Sequence, residues 1–216
     1  MKNATAFVKK FKMFRRKLAP IVVIASDQGV IGEVIYSHLI WNASTKQADV
    51  AYKKLVKASL DMNDLRVNMI DETIELIGEN YPEARERTKR LHAVLNAIYN
   101  REHDIQIKSL EGAGKRDIRE YFETLNGITT FVCNRIISIC YGVAAIPVDE
   151  RTLDALVDNG IIHEESEITT VATWLTRQVK ADEIVGFHGS LQAWVEVQPR
   201  RERPIAKKEP KKKAAT

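Results

Sequence analysis

Residues 125–149 read LNGITTFVCNRIISICYGVAAIPVD. Leu125 closes one amphipathic stretch, the four-residue turn NGIT follows, and a mostly apolar run of helical length starts at Thr130. Gly127 gives the turn its backbone freedom. After Gly142 comes an extended link, AAIPV, in which a proline discourages helix until Asp149, and Asp149 stands where an N-cap would precede ERTLDAL. The free amides of the turn and of the second helix's first turn, reinforced by the helix dipole, suit a phosphate. A glycine-containing helix–turn–helix is common, so its meaning depends on what surrounds it.

Outward from this block the pattern is helical. Upstream, KRDIREYFETL is amphipathic through Ile118, Tyr121, Phe122 and Leu125. Asp27 can cap a helix running to about Trp41, and Thr45 can cap KQADVAYKKLVKASL. DMNDLRV reads as a short turn, a helix follows over roughly 69–78, and GENYP breaks it. Pro82 suits the first turn of PEARERTKRLHAVLNAIYN. ERTLDALVDNG, ITTVATWLTRQVK and ADEIVGFHGSLQAWVEV complete about ten helices, and the fold class is all-α. The β-branched IVVIAS after Pro20 is an extended connection.

Composition narrows the classes. The chain has 216 residues, 44% hydrophobic and 29% charged, which suits one domain or two small lobes. Its net charge of +4 is uneven. Residues 1–17 hold seven Lys or Arg and no acid, and 200–213 add a further net +6, so the segment between them is acidic. Cys133 and Cys140 share one helical face and read as buried free thiols, not as a disulfide framework. No secretory signal is read, and the most apolar window, 18–43, carries Asp27, Glu33 and two glycines, which argues against a membrane span. Phe7, Phe11, Phe14 and Leu18 form one stripe of a basic helix, which can pack on the domain, face nucleic acid, or serve targeting or membrane attachment. The lysine-rich tail reads as disordered, a solvated tail or a tether to nucleic acid. His163 and Glu164 read as a solvated loop, and no spacing of His, Cys or carboxylates recommends a metal.

The 125–149 block resembles the helix-hairpin-helix DNA glycosylase superfamily, the endonuclease III-like fold. That family has a hairpin of the form L-P-G-V-G, a helix carrying a lysine, a glycine, then V-D at the next helix. Leu125, Gly127, Ile128, Gly142, Ile146, Val148 and Asp149 match it without a gap. His188 and Gly189 match a similar pair in the last core helix, and the helical order from about 27 to 197 also agrees. The resemblance implies two helical lobes with a cleft between them: a central lobe at about 45–145, and a second built from 21–44 plus 146–199. Residues 1–20 would form the N-terminal helix or arm, and 200–216 the tail.

It also implies double-stranded DNA, damaged or mismatched, as partner, a monomer, and a nucleoid-associated cytoplasmic setting. Gly127, Ile128, Thr129 and Thr130 would contact DNA. Asp149 would stabilise the cation that forms on the sugar as the base leaves and would activate water, a role compatible with helix capping. The target base must leave the stack and enter a pocket, and Trp41, Asn42 and Tyr52 lie on segments that could border it.

Three departures shape the expectation. The hairpin proline is Asn126 and its second glycine is Thr129, a β-branched residue that cannot freely take positive φ. The lysine position is Phe131, so no imine chemistry is expected. No four-cysteine block follows Val197, so no iron–sulfur cluster and no other cofactor is expected. The expected activity is base removal without strand nicking. The alternative is a family member that binds nucleic acid or protein and catalyses nothing, as the acidic middle and the altered hairpin suggest. His188, between Phe187 and Trp194, reads as a packed core histidine.

Overall fold

The computed structural model describes residues 4–201, and among these all regular structure is helical. Eleven α-helices follow in order: α1 Ala4–Arg15, α2 Gly29–Ile40, α3 Thr45–Ala58, α4 Met62–Val67, α5 Ile70–Ile77, α6 Ala84–Glu102, α7 Lys115–Glu123, α8 Thr130–Tyr141, α9 Glu150–Asp158, α10 Ile168–Gln178 and α11 Ile184–Glu196. None is long and apolar enough to cross a membrane. Residues 1–3 and 202–216 lie outside the described residues, and with them the expectations for most of the basic tail.

Local capping corrects several sequence expectations. Ser44, not Thr45, caps α3, through a capping box with Gln47. Gln28 occupies the cap position of α2 and its side chain makes no capping bond. DMNDLRV is not a turn: Asp61 accepts from the amides of Asn63 and Asp64 and nucleates α4. Pro82 precedes α6, whose cap Glu83 sits at φ 52°.

Two apolar cores result. The first is built by α2–α8, with Ile35, Leu39, Leu55, Leu95, Phe122, Phe131 and Ile136 among its buried residues. The second joins α1 to the chain after 145, through Phe11, Phe14, Ile146, Val148, Leu156, Leu175 and Leu191. The aromatic stripe of α1 is thus packed: Phe11 is edge-on to Trp174 and Phe187, and Phe14 to Trp194. Residues 21–44, which the sequence reading grouped with 146–199, divide between the cores. α2 packs in the first core, against α8, α3 and α6. The extended 21–24 segment instead crosses α11 at Gly189, where a Cβ would meet Val23 at 2.6 Å and Ile21 at 3.2 Å. The glycine of the His188–Gly189 pair is required by that crossing.

α2 is buried on nearly all sides, so its polar residues need internal partners. Glu33 forms a buried ion pair with Arg135 of α8, and also accepts from Ser37 Oγ at 3.1 Å and from the Ser26 amide at 3.3 Å. Burial pushes the Arg135 guanidinium down to about 9, so it stays charged at neutral pH. His38 and His188 are also buried: burial, aided by nearby arginines, lowers them to about 4 and about 3.

An unfolded chain takes up protons on both histidines near the ordinary value of 6.5, whereas the folded chain does not until far lower pH. Stability is therefore full above about pH 6.5 and is lost on acidification towards 4, at roughly 1.4 kcal/mol per pH unit per histidine. Urea unfolding at neutral pH and near pH 4.5 should show this loss, and the double substitution His38→Gln/His188→Gln should flatten it.

Candidate DNA-binding and active site

The turn between α7 and α8 is set by Gly127 at φ 90°. A Cβ there would lie 2.8 Å from the Arg90 carbonyl and 2.9 Å from Ala93 Cβ, so the hairpin seats directly on α6. Gly127→Ala must both strain the backbone and push α6 away, at a cost of about 2–4 kcal/mol. Gly142→Ala, at φ 61° but facing open space, should cost only about 1–2 kcal/mol. Paired urea titrations of the two variants measure the difference.

Thr129 relieves the concern raised by its β-branched side chain. Its φ is −103°, and its hydroxyl accepts from the Val132 amide at 3.2 Å as the N-cap of α8. The altered hairpin therefore carries no backbone strain at this position. The amides of Gly127, Thr129 and Thr130 have no acceptor among the described residues and lie at half-exposed or exposed positions. Beside them opens a cleft of about 460 Å³, bordered by Thr129, Thr130, Arg119 and Glu123 on one side and Thr173 and Arg177 of α10 on the other.

Asp149 caps α9. Its Oδ1 accepts from the Thr152 amide at 2.8 Å and the Thr152 hydroxyl at 2.6 Å, and its Oδ2 accepts from the Asn42 amide at 2.9 Å. Only 3% of the residue is exposed. Burial raises its carboxyl above the ordinary value of 3.8, against the pull of those three donors and the helix N-terminus.

Asn42 is the cover. At φ 52° it stands in the left-handed region, and its side-chain Nδ2 donates to Glu150 Oε2 at 2.7 Å. Its Oδ1 accepts from the Arg151 amide at 3.4 Å, and its carbonyl accepts from Arg200 at 3.3 Å. The turn is held from beneath by Arg87, which is 1% exposed and donates to the carbonyls of His38, Leu39, Trp41 and Pro82. Its guanidinium lies 5.7 Å from the Trp41 ring and 5.0 Å from the Tyr81 ring.

Of the three pocket candidates, then, Asn42 touches Asp149 and Trp41 adjoins it through Arg87. Tyr52 does not join them: its hydroxyl pairs with Ser26 Oγ at 2.6 Å and its ring packs on Tyr36. The cleft beside the hairpin includes none of Trp41, Asn42, Tyr52 or Asp149. Phe131 is 2% exposed and meets His188 edge-on at 6.2 Å, so this side chain is part of the packed interior. Sequence reasoning missed Arg87, Arg90 and the Glu33–Arg135 pair. Arginines inside an amphipathic pattern look like surface, and only the run of carbonyls at the end of α2 explains why Arg87 is buried.

No protein-family model and no curated protein matches the sequence. Solved structures do resemble the fold. A non-covalent Endonuclease III–DNA complex superposes with TM-score 0.66 at 14% identity, over 94% of this chain and 91% of that one. The Clostridium acetobutylicum 8-oxoguanine glycosylase/lyase with double-stranded DNA gives 0.60 at 13%, over 88% and 66%. A thermostable thymine-DNA glycosylase gives 0.58 at 15%, over 91% and 87%. The chain thus has the all-helical fold of endonuclease III-like DNA glycosylases.

Proposed function

We propose that this protein binds duplex DNA through the 126–130 hairpin and removes a base with Asp149, without nicking the strand. The observation that carries the reading is the placement of Asp149 at the N-terminus of α9, held by Thr152 and reached by the Asn42 amide, in a glycosylase fold. The C–N bond would break first, its electron pair leaving with the base, and the carboxylate would stabilise the sugar cation. Water would then add its oxygen to the sugar carbon, giving one proton to the carboxylate, which passes it on to the departed base. Phe131 offers no amine, so no covalent imine forms.

Because Asp149 is covered, the Asn42 turn has to lift before a flipped nucleotide can reach the carboxylate. Lifting would also admit solvent and ease the burial that now disfavours the anion. The hairpin amides would hold a backbone phosphate, and the cleft rimmed by Arg119 and Arg177 lies alongside.

A second reading, duplex binding without catalysis, is favoured by one observation: every donor around Asp149 is used for capping and closure. Base release from duplexes that each carry one lesion or mismatch separates the two. Alkali-revealed abasic sites support the first reading, and binding without release supports the second.

A further inference from the structure

Arg90 lies between the two halves of the proposed site. Its NH1 is 3.5 Å from the Gly127 carbonyl, on the hairpin, and its guanidinium carbon is 5.7 Å from the Trp41 ring, next to the turn that covers Asp149. The third partner is Glu86, one turn earlier on α6, at 2.9 Å from NH2. The side chain is 36% exposed, while its Nε is buried and has no acceptor among the described residues. A guanidinium carries five donors in a rigid fork, and here few of them are well satisfied. The Glu86 pair does little to fix the arginine here: Glu86 is 53% exposed, and such pairs on a helix surface add little to stability.

We infer that Arg90 is a DNA-backbone contact, exchanging Glu86 for a phosphate next to the one held by the hairpin amides. The inference rests on the DNA-binding half of the proposed function and not on catalysis. Gly127 presents its carbonyl to Arg90 while its amide has no acceptor among the described residues, so a phosphate at that amide comes within one residue of the guanidinium. The same guanidinium lies 5.7 Å from the Trp41 ring, so a strand held there passes the cover of Asp149. Glu86 acts as a placeholder whose negative charge competes with the incoming phosphate.

The two members of the pair then have opposite signs, which a structural ion pair would not show. The test is fluorescence anisotropy with a labelled duplex over a salt series, using the full chain, alongside thermal melting of each variant. Arg90→Ala should weaken binding roughly tenfold and reduce the slope of log affinity against log salt by about 0.9, the contribution of one phosphate. Arg90→Lys should keep most of that slope, and Glu86→Gln should tighten binding several-fold. An unchanged slope in Arg90→Ala, or a Glu86→Gln variant that weakens binding as Arg90→Ala does, overturns the inference while leaving hairpin binding intact. A parent chain that binds no duplex overturns the DNA reading, and the inference with it.

Discussion

Arg135→Ala should destabilise the protein by about 3–5 kcal/mol, because it leaves Glu33 charged and unpaired inside the first core. Glu33 is 1% exposed, and its carboxylate faces Arg135, Ser37 and the Ser26 amide. Ser37 and Ser26 can still donate, but neither supplies a positive charge. At this chain length the midpoint of thermal unfolding should fall by roughly 10 °C. The paired substitution Glu33→Leu/Arg135→Met removes both charges, and its cost should be much smaller than that of Arg135→Ala alone. Melting curves of the three proteins at neutral pH report these effects.

The second large effect concerns Asp149 and separates structure from chemistry. In Asp149→Asn the introduced amide oxygen can take over the two donors of Thr152, so the cap of α9 survives. The amide NH2 then faces the Asn42 N–H, donor against donor, and this mismatch should cost about 1–3 kcal/mol. Folding should therefore persist and duplex affinity should change little, since Asp149 is buried and the hairpin is elsewhere. Base release, in contrast, should fall by roughly 10²- to 10⁴-fold, because the neutral amide neither stabilises a sugar cation nor takes a proton. The variant also removes a carboxyl whose folded value is raised. Such a group stabilises the fold most below the ordinary carboxylate range and loses that contribution as pH rises through its raised value. Asp149→Asn should thus steepen the parent's acid sensitivity slightly.

Much of this was legible in the sequence because it is local. The hairpin, the α8 helix and the link to Asp149 follow from Gly127, Gly142 and Pro147 and from apolar spacing, and the all-helical class follows from periodicity. The short helix α4 was not legible as such: Asp61 begins it, but six residues give too little periodicity to distinguish helix from turn. The site was only half legible. Asp149 as a cap was readable from an Asp after Pro147 and before ERTLDAL, and its Oδ1 accepts from the Thr152 amide as such a cap does. Its closure was not, because Asn42 comes from 107 residues upstream and meets it only through the packing of α2. The partners of the proposed pocket residues Trp41, Asn42 and Tyr52 were not legible either, for a similar reason. Tyr52 is engaged by Ser26 and Trp41 by Arg87, contacts that no local pattern records.

The most direct test of the central claim is single-turnover base release by the parent and Asp149→Asn proteins on a panel of duplexes, each with one lesion or mismatch. Abasic sites are revealed by hot alkali, and a borohydride-treated lane checks for a trapped covalent complex. The account predicts release by the parent on at least one duplex, its near-complete loss in Asp149→Asn with binding retained, and no trapped complex. Equal release by both proteins, or a borohydride-trapped adduct, would contradict it.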